Sequence, residues 1–300
     1  MSDLRDRLRG LLALPGPGSA PREVLLNEQA RPGGVAQHWH IGGLPATLLH
    51  AAPDAPTVLY CHAHGGDYTL GRRELTEGAR WLTGPYAPDL LARGLNVLCL
   101  DMPGFGERQS EGNENALAKA ALWRGQPLMG RMLEDLQTAV TWLQSRSTAP
   151  IATLGMSMGA AHAYWLAALD TRIAACAHLC MLADMAPLIE TGSHDRHGHF
   201  LTVPGLLTHA DMGDVAALIA PRPQTVALGS GDHLTPPEAR TPALARLRAA
   251  YGGIENRLEA TIFEADTHVE TPAMRAATLA FLERWADAAR GDLQEQRNSA

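Results

Sequence analysis

From residue 56 onward, short apolar runs alternate with longer stretches whose apolar residues recur every three or four positions. Residues 57–61, 96–100, 149–154, 173–182, 225–229 and 259–263 are short and β-branched or aliphatic, with Gly, Pro or Asp near their ends. Such runs read as strands, mostly buried on both faces. Residues 87–93, 128–143, 160–169, 237–251 and 271–290 read as helices, and 79–82 as a short one; Leu133, Leu136, Val140 and Leu143 mark one face of the second. Gly94 is placed to cap the helix before it. Ahead of the alternation, 1–14 reads as an amphipathic helix, broken by Pro15-Gly16-Pro17-Gly18. Residues 35–40 and 46–50, divided by Gly42-Gly43, read as an antiparallel hairpin at a sheet edge. The pattern predicts an α/β fold, a mostly parallel eight-stranded sheet with helices on both faces and chemistry at the carboxyl ends of the strands.

Two segments fall outside the alternation. Residues 110–126 are polar and glycine-bearing, and 183–215 are long and histidine-rich. They are read as lid segments, about 104–130 and 183–215, inserted in a main domain of 51–290. Residues 1–50 form an N-terminal helix and hairpin, and the polar stretch 291–300 a flexible tail.

Composition narrows the function. The 300 residues carry a net charge of −7 with no basic stripe, which argues against nucleic acid or an anionic membrane as partner. No apolar stretch has the length of a membrane span, and the N-terminus lacks the apolar core of a signal peptide. Cys61, Cys99, Cys176 and Cys180 sit in apolar runs without metal-ligand spacing. They read as buried reduced thiols, which suits the cytoplasm.

The sharpest motif is Gly155-Met156-Ser157-Met158-Gly159, set between a strand and a run of helix formers. A serine lifted off a strand end on so tight a turn crowds the positions two before and two after it, and both are glycine. A serine hydroxyl needs a base, and the base an orienting acid. His268, past the last strand and before the last helix, is the candidate base. Asp232, in Gly229-Ser230-Gly231-Asp232, is the candidate acid. Asp184, Asp211 and Asp214 are rival acids and His233 a rival base. Attack at an acyl carbon makes an oxyanion, which the Met158 N–H and an amide of the loop after 57–61 would face.

These residues resemble an α/β hydrolase of the dienelactone hydrolase, acetyl xylan esterase and prolyl oligopeptidase-like branch. The likeness rests on the H-G-x-G-G-like His62-Ala63-His64-Gly65-Gly66, the D-x-x-G-x-G of residues 101–106, the Ser157 elbow, Ala220-Pro221-Arg222-Pro223, and the order Ser157, Asp232, His268. It covers 56 to about 290. It implies a serine hydrolase that cleaves carboxylic esters through an acyl-enzyme, with no cofactor and a small acyl ester as substrate. It also implies the His64 N–H as second oxyanion donor. Ala63 departs from the family's glycine, which leaves Gly65 or Gly66 as alternatives. Gly65 and His199 are read as pocket residues. The cluster His194-Asp195-Arg196-His197-Gly198-His199 invites a metal reading; a lid role is preferred and no metal is expected. Residues 101–106 read as a structural turn. A prolyl oligopeptidase-like peptidase and a non-catalytic ligand-binding member of the fold stand as alternatives, and monomer or homodimer is left open.

Overall fold

In the computed structural model, which describes residues 2–299, the chain opens with helix α1 (Ser2–Leu11) and an antiparallel meander of β1 (Glu23–Arg31), β2 (Gly34–Ile41) and β3 (Leu44–His50). The alternation follows: β4 (Thr57–Cys61), α2 (Glu74–Glu77), α3 (Ala87–Ala92), β5 (Asn96–Leu100), α4 (Glu114–Trp123), α5 (Leu128–Arg146), β6 (Ile151–Met156), α6 (Met158–Leu169) and β7 (Ile173–Leu179). After α7 (Met185–Glu190) and α8 (Met212–Ala217) come β8 (Gln224–Gly229), α9 (Pro237–Ala250), β9 (Leu258–Phe263) and α10 (Pro272–Ser299).

One nine-stranded sheet runs in the order β1-β2-β3-β5-β4-β6-β7-β8-β9. Pairs from β5 to β9 are parallel; β3 joins β5 antiparallel. The two faces carry separate cores, as period-2 alternation requires. Leu59, Cys61, Leu98 and Leu100 pack with α1, α5, α6, α8 and α9. Val58, Tyr60, Val97 and Cys99 pack with α3 and α10.

Four expectations change. The sheet has nine strands rather than eight, and β1, not the hairpin, forms its edge. Every residue of β1 is exposed, so no apolar alternation announces it. Residues 79–82 are not helical: the short α2 precedes them and stops at Gly78, which takes φ +75°. The excursion at 110–126 contains α4, while 183–215 contains α7, part of α8 and three 3₁₀ turns. Finally, α10 continues past Arg290 to Ser299, so helix occupies 291–299. Gly94 caps α3 as expected, at φ +65°.

The order β5-β4-β6 makes β4 the strand where the winding reverses, and crevices open at such switch points. In the β4–β6 ladder Cys61 stands opposite Gly155. The loop after Cys61 and the turn at Ser157 are therefore neighbours by register. Farther along the same rim, Gly229 stands opposite Phe263, so the loops bearing Asp232 and His268 also leave the sheet side by side.

Candidate active site

Ser157 has φ +56° and ψ −118°, a conformation an L-residue keeps only under tight constraint. Its N–H donates to the Leu179 carbonyl at 2.9 Å and its carbonyl accepts from Ala161 N–H at 3.1 Å. The flanking glycines are required by space. A Cβ on Gly155 would stand 2.2 Å from the Gly159 carbonyl oxygen, and one on Gly159 would stand 1.9 Å from that of Cys61. Met158, as the first residue of α6, has no carbonyl four residues back within the helix to accept its N–H.

The structure brings Ser157, His268 and Asp232 together. His268 Nε2 lies 2.8 Å from Ser157 Oγ, and Nδ1 lies 2.8 Å from Asp232 Oδ2. A carboxylate only accepts, so Nδ1 carries the proton and Nε2 is left to accept from the serine hydroxyl. Asp232 is 2% exposed, and its other oxygen accepts from Leu234 N–H at 2.9 Å. Burial alone would raise this carboxyl; the hydrogen bond and charge of His268, with the Leu234 amide, hold it below the ordinary carboxylate value. The rival acids are engaged elsewhere. Asp184 accepts from Gly213 N–H, and Asp211 and Asp214 form a capping box on α8. His233 is exposed on the wall of the same cavity that holds Ser157.

A cavity of about 520 Å³ covers Ser157 and His268. His64, Gly65, Met158, Trp81, His197, Phe200 and Val269 are among its walls. A wider depression of about 670 Å³ includes Pro150, Pro223, Phe281 and Trp285. Pro150 and Pro223 immediately precede β6 and β8, so it opens at the amino ends of those strands, away from Ser157.

On the loop after β4, Ala63 N–H donates to Glu74 Oε1 at 3.0 Å and Gly66 N–H to His64 Nδ1 at 3.1 Å. That commits Gly66 and leaves His64 and Gly65 as the loop's candidate oxyanion amides. Gly65 takes φ +52°, and a Cβ there would overlap the Trp81 ring. Trp81 in turn donates to Glu74 Oε2 at 2.8 Å, and its carbonyl accepts from Glu270 N–H at 2.8 Å. It thus ties the loop after β4 to the His268 loop. Glu74 is fully buried, and burial pushes its carboxyl above the ordinary value.

One pocket expectation is corrected. His199 is exposed and lines a neighbouring cavity of about 280 Å³, while Phe200 lines the main one. The 3₁₀ turn His199–Leu201 separates adjacent side chains, so Phe200 turns inward and His199 out. His197 lines both cavities, and burial, then the nearby His268, pushes its imidazole down to about 4. Among the described residues, no three His, Cys, Asp or Glu side chains are grouped to hold a metal. Residues 101–106 are structural: Asp101 accepts from the N–H groups of Arg72 (2.7 Å) and Glu107 (3.0 Å). Among the described residues, no helix is long and apolar enough to cross a membrane.

Comparison with known proteins bears on the family and the fold. A family model described as the alpha/beta hydrolase fold matches residues 56–203. YtaP of Bacillus subtilis (strain 168), assigned as a hydrolase, is 39% identical over 236 residues, covering 77% of this chain and 78% of that protein. A Bacteroides fragilis NCTC 9343 structure assigned as an acetyl xylan esterase superposes with a TM-score of 0.71 at 18% identity, over 87% of this chain and 74% of that one. The glucuronoyl esterase from Solibacter usitatus gives 0.68 at 15%, over 95% and 92%. At those identities the structural likeness speaks for the fold, and the YtaP match carries the relationship. The chain belongs to the α/β hydrolase family.

Proposed function

We propose that this protein hydrolyses carboxylic esters through an acyl-enzyme formed on Ser157. The observation that carries the reading is the pair of 2.8 Å contacts through which His268 bridges Ser157 and Asp232 at the wall of a cavity of about 520 Å³. Ser157 Oγ attacks the acyl carbon while His268 Nε2 takes its proton. Asp232 holds the ring and stabilises the imidazolium. The oxyanion is held by the Met158 N–H and by the His64 N–H, with Gly65 the adjacent amide. His268 then protonates the departing alkoxide, and later takes a proton from the water that releases the acyl group. YtaP, assigned as a hydrolase, supports hydrolysis, and the choice of an ester over an amide is what the paired substrates below test.

The test is turnover of p-nitrophenyl acetate beside a peptide p-nitroanilide. Wild type is expected to cleave the ester and leave the anilide, and Ser157→Ala to lose about a thousandfold or more in kcat. A Ser157→Ala protein as active as wild type would end the reading.

A further inference from the structure

Both lid segments and the loop after β4 meet at one carboxylate. Glu114, the first residue of α4, is 6% exposed. Its Oε2 accepts from His64 Nε2–H at 2.7 Å and from Tyr68 OH at 3.1 Å; its Oε1 accepts from Phe200 N–H at 2.8 Å. The tautomer follows from the loop itself. Gly66 N–H donates to His64 Nδ1, so the ring proton sits on Nε2 and points at Glu114. The turn His64–Asp67 closes with Asp67 N–H on the His64 carbonyl at 3.1 Å, Gly65 and Gly66 both at positive φ. The His64 side chain is therefore clamped between its own turn and a residue of the first lid segment. The second segment comes close enough that a Cβ on Gly198 would stand 2.6 Å from Glu114 Oε1.

None of the steps above uses Glu114. An acceptor-only group with two oxygens suits this place, because donors reach it from two directions. An amide would turn its NH₂ toward either the His64 ring or the Phe200 amide. We infer that Glu114 is a positioning residue: by holding the His64 ring and the Phe200 amide together, it sets the His64 peptide to receive the oxyanion only while both lid segments are seated. The inference rests on the ester-hydrolase reading and on the place of the His64 loop in it.

The experiment is steady-state kinetics on p-nitrophenyl acetate for Glu114→Gln, His64→Ala, which keeps the backbone N–H, and the double variant. Each single variant is expected to lose about 10- to 100-fold in kcat, with KM within about threefold, because a misaimed oxyanion amide weakens the transition state alone. The double variant is expected to lose no more than the worse single one, since both break the same link. A Glu114→Gln kcat within about twofold of wild type, or losses that multiply in the double variant, would overturn the inference. If Glu114→Gln does not fold, Glu114→Asp, which keeps the charge but shortens the reach, is read the same way. Ser157→Ala is run alongside. Were it active, the site reading itself falls; were it inactive while Glu114→Gln keeps its kcat, only the positioning role falls.

Discussion

The two walls of the Ser157 pocket are held in place by different means. On one wall Ser157, Asp232 and His268 follow β6, β8 and β9, neighbours or near-neighbours in a continuous parallel ladder. Their positions come from repeated backbone hydrogen bonds. On the other wall Trp81, Glu114, His197 and Phe200 come from turns and short helices. Trp81, Phe200 and the turn after Trp81 are tied by single buried carboxylates: Glu74, Glu114, and Glu270, which accepts from Thr83 N–H at 2.9 Å. A ladder spreads the constraint over many bonds, whereas a lone acceptor concentrates it. The first wall should respond to substitution through chemistry or outright misfolding, and the second through binding and alignment.

The largest effect belongs to the first wall. Asp232→Asn is expected to cost about ten-thousandfold in kcat with the fold intact, because the amide favours the wrong imidazole tautomer; a loss below tenfold would break the contrast. Next is Gly159→Ala, whose methyl would press on the Cys61 carbonyl. Urea unfolding should show a stability loss of about 3 kcal/mol.

His162 probes the packing behind Phe200, whose ring lies 5.6 Å away. It is fully buried, and neither ring nitrogen has a hydrogen-bond partner among the described residues. Burial, then the nearby His62, pushes its imidazole down to about 3. The unfolded chain therefore binds this proton first as pH falls. Its contribution to stability is fully present above about pH 6.5 and is lost from there toward pH 3. Replacing it with leucine should remove about 2 kcal/mol of the stability difference between pH 8 and pH 5. An unchanged pH slope would show that the site is hydrated.

Phe200→Ala keeps the amide that Glu114 receives and removes the ring. KM should rise about tenfold and kcat change little, since the ring contributes equally to substrate and transition state. Smallest is Leu25→Lys on the exposed β1, expected within about 0.5 kcal/mol of wild type.

The same contrast explains what could be read from the sequence. The inner strands β6 and β8 are buried throughout and almost wholly apolar, and Ser157 and Asp232 stand within a few residues of their ends; His268 follows the edge strand β9, which is only partly buried. Strand patterning and loop chemistry together therefore pointed to the three side chains that the structure brings together. The glycine pair at 65–66 was visible as a turn, and the structure explains it by positive φ and the face of Trp81. β1 left no pattern because every one of its residues is exposed. Glu114 and Phe200 were missed because their meaning lies in a hydrogen bond across 86 positions, and no local spacing encodes that. The imidazole cluster at 194–199 points to His199 rather than to its neighbour, because the tight turn that divides inward from outward is too short to show a period.

The central claim is that Ser157 is the nucleophile and is activated by its neighbours. Its most direct test is treatment with a fluorophosphonate, followed by intact-mass and peptide analysis. The account predicts one adduct, on Ser157, formed on wild type, absent from Ser157→Ala and strongly slowed in Asp232→Asn. Labelling elsewhere, or equal labelling of Ser157→Ala, would contradict it.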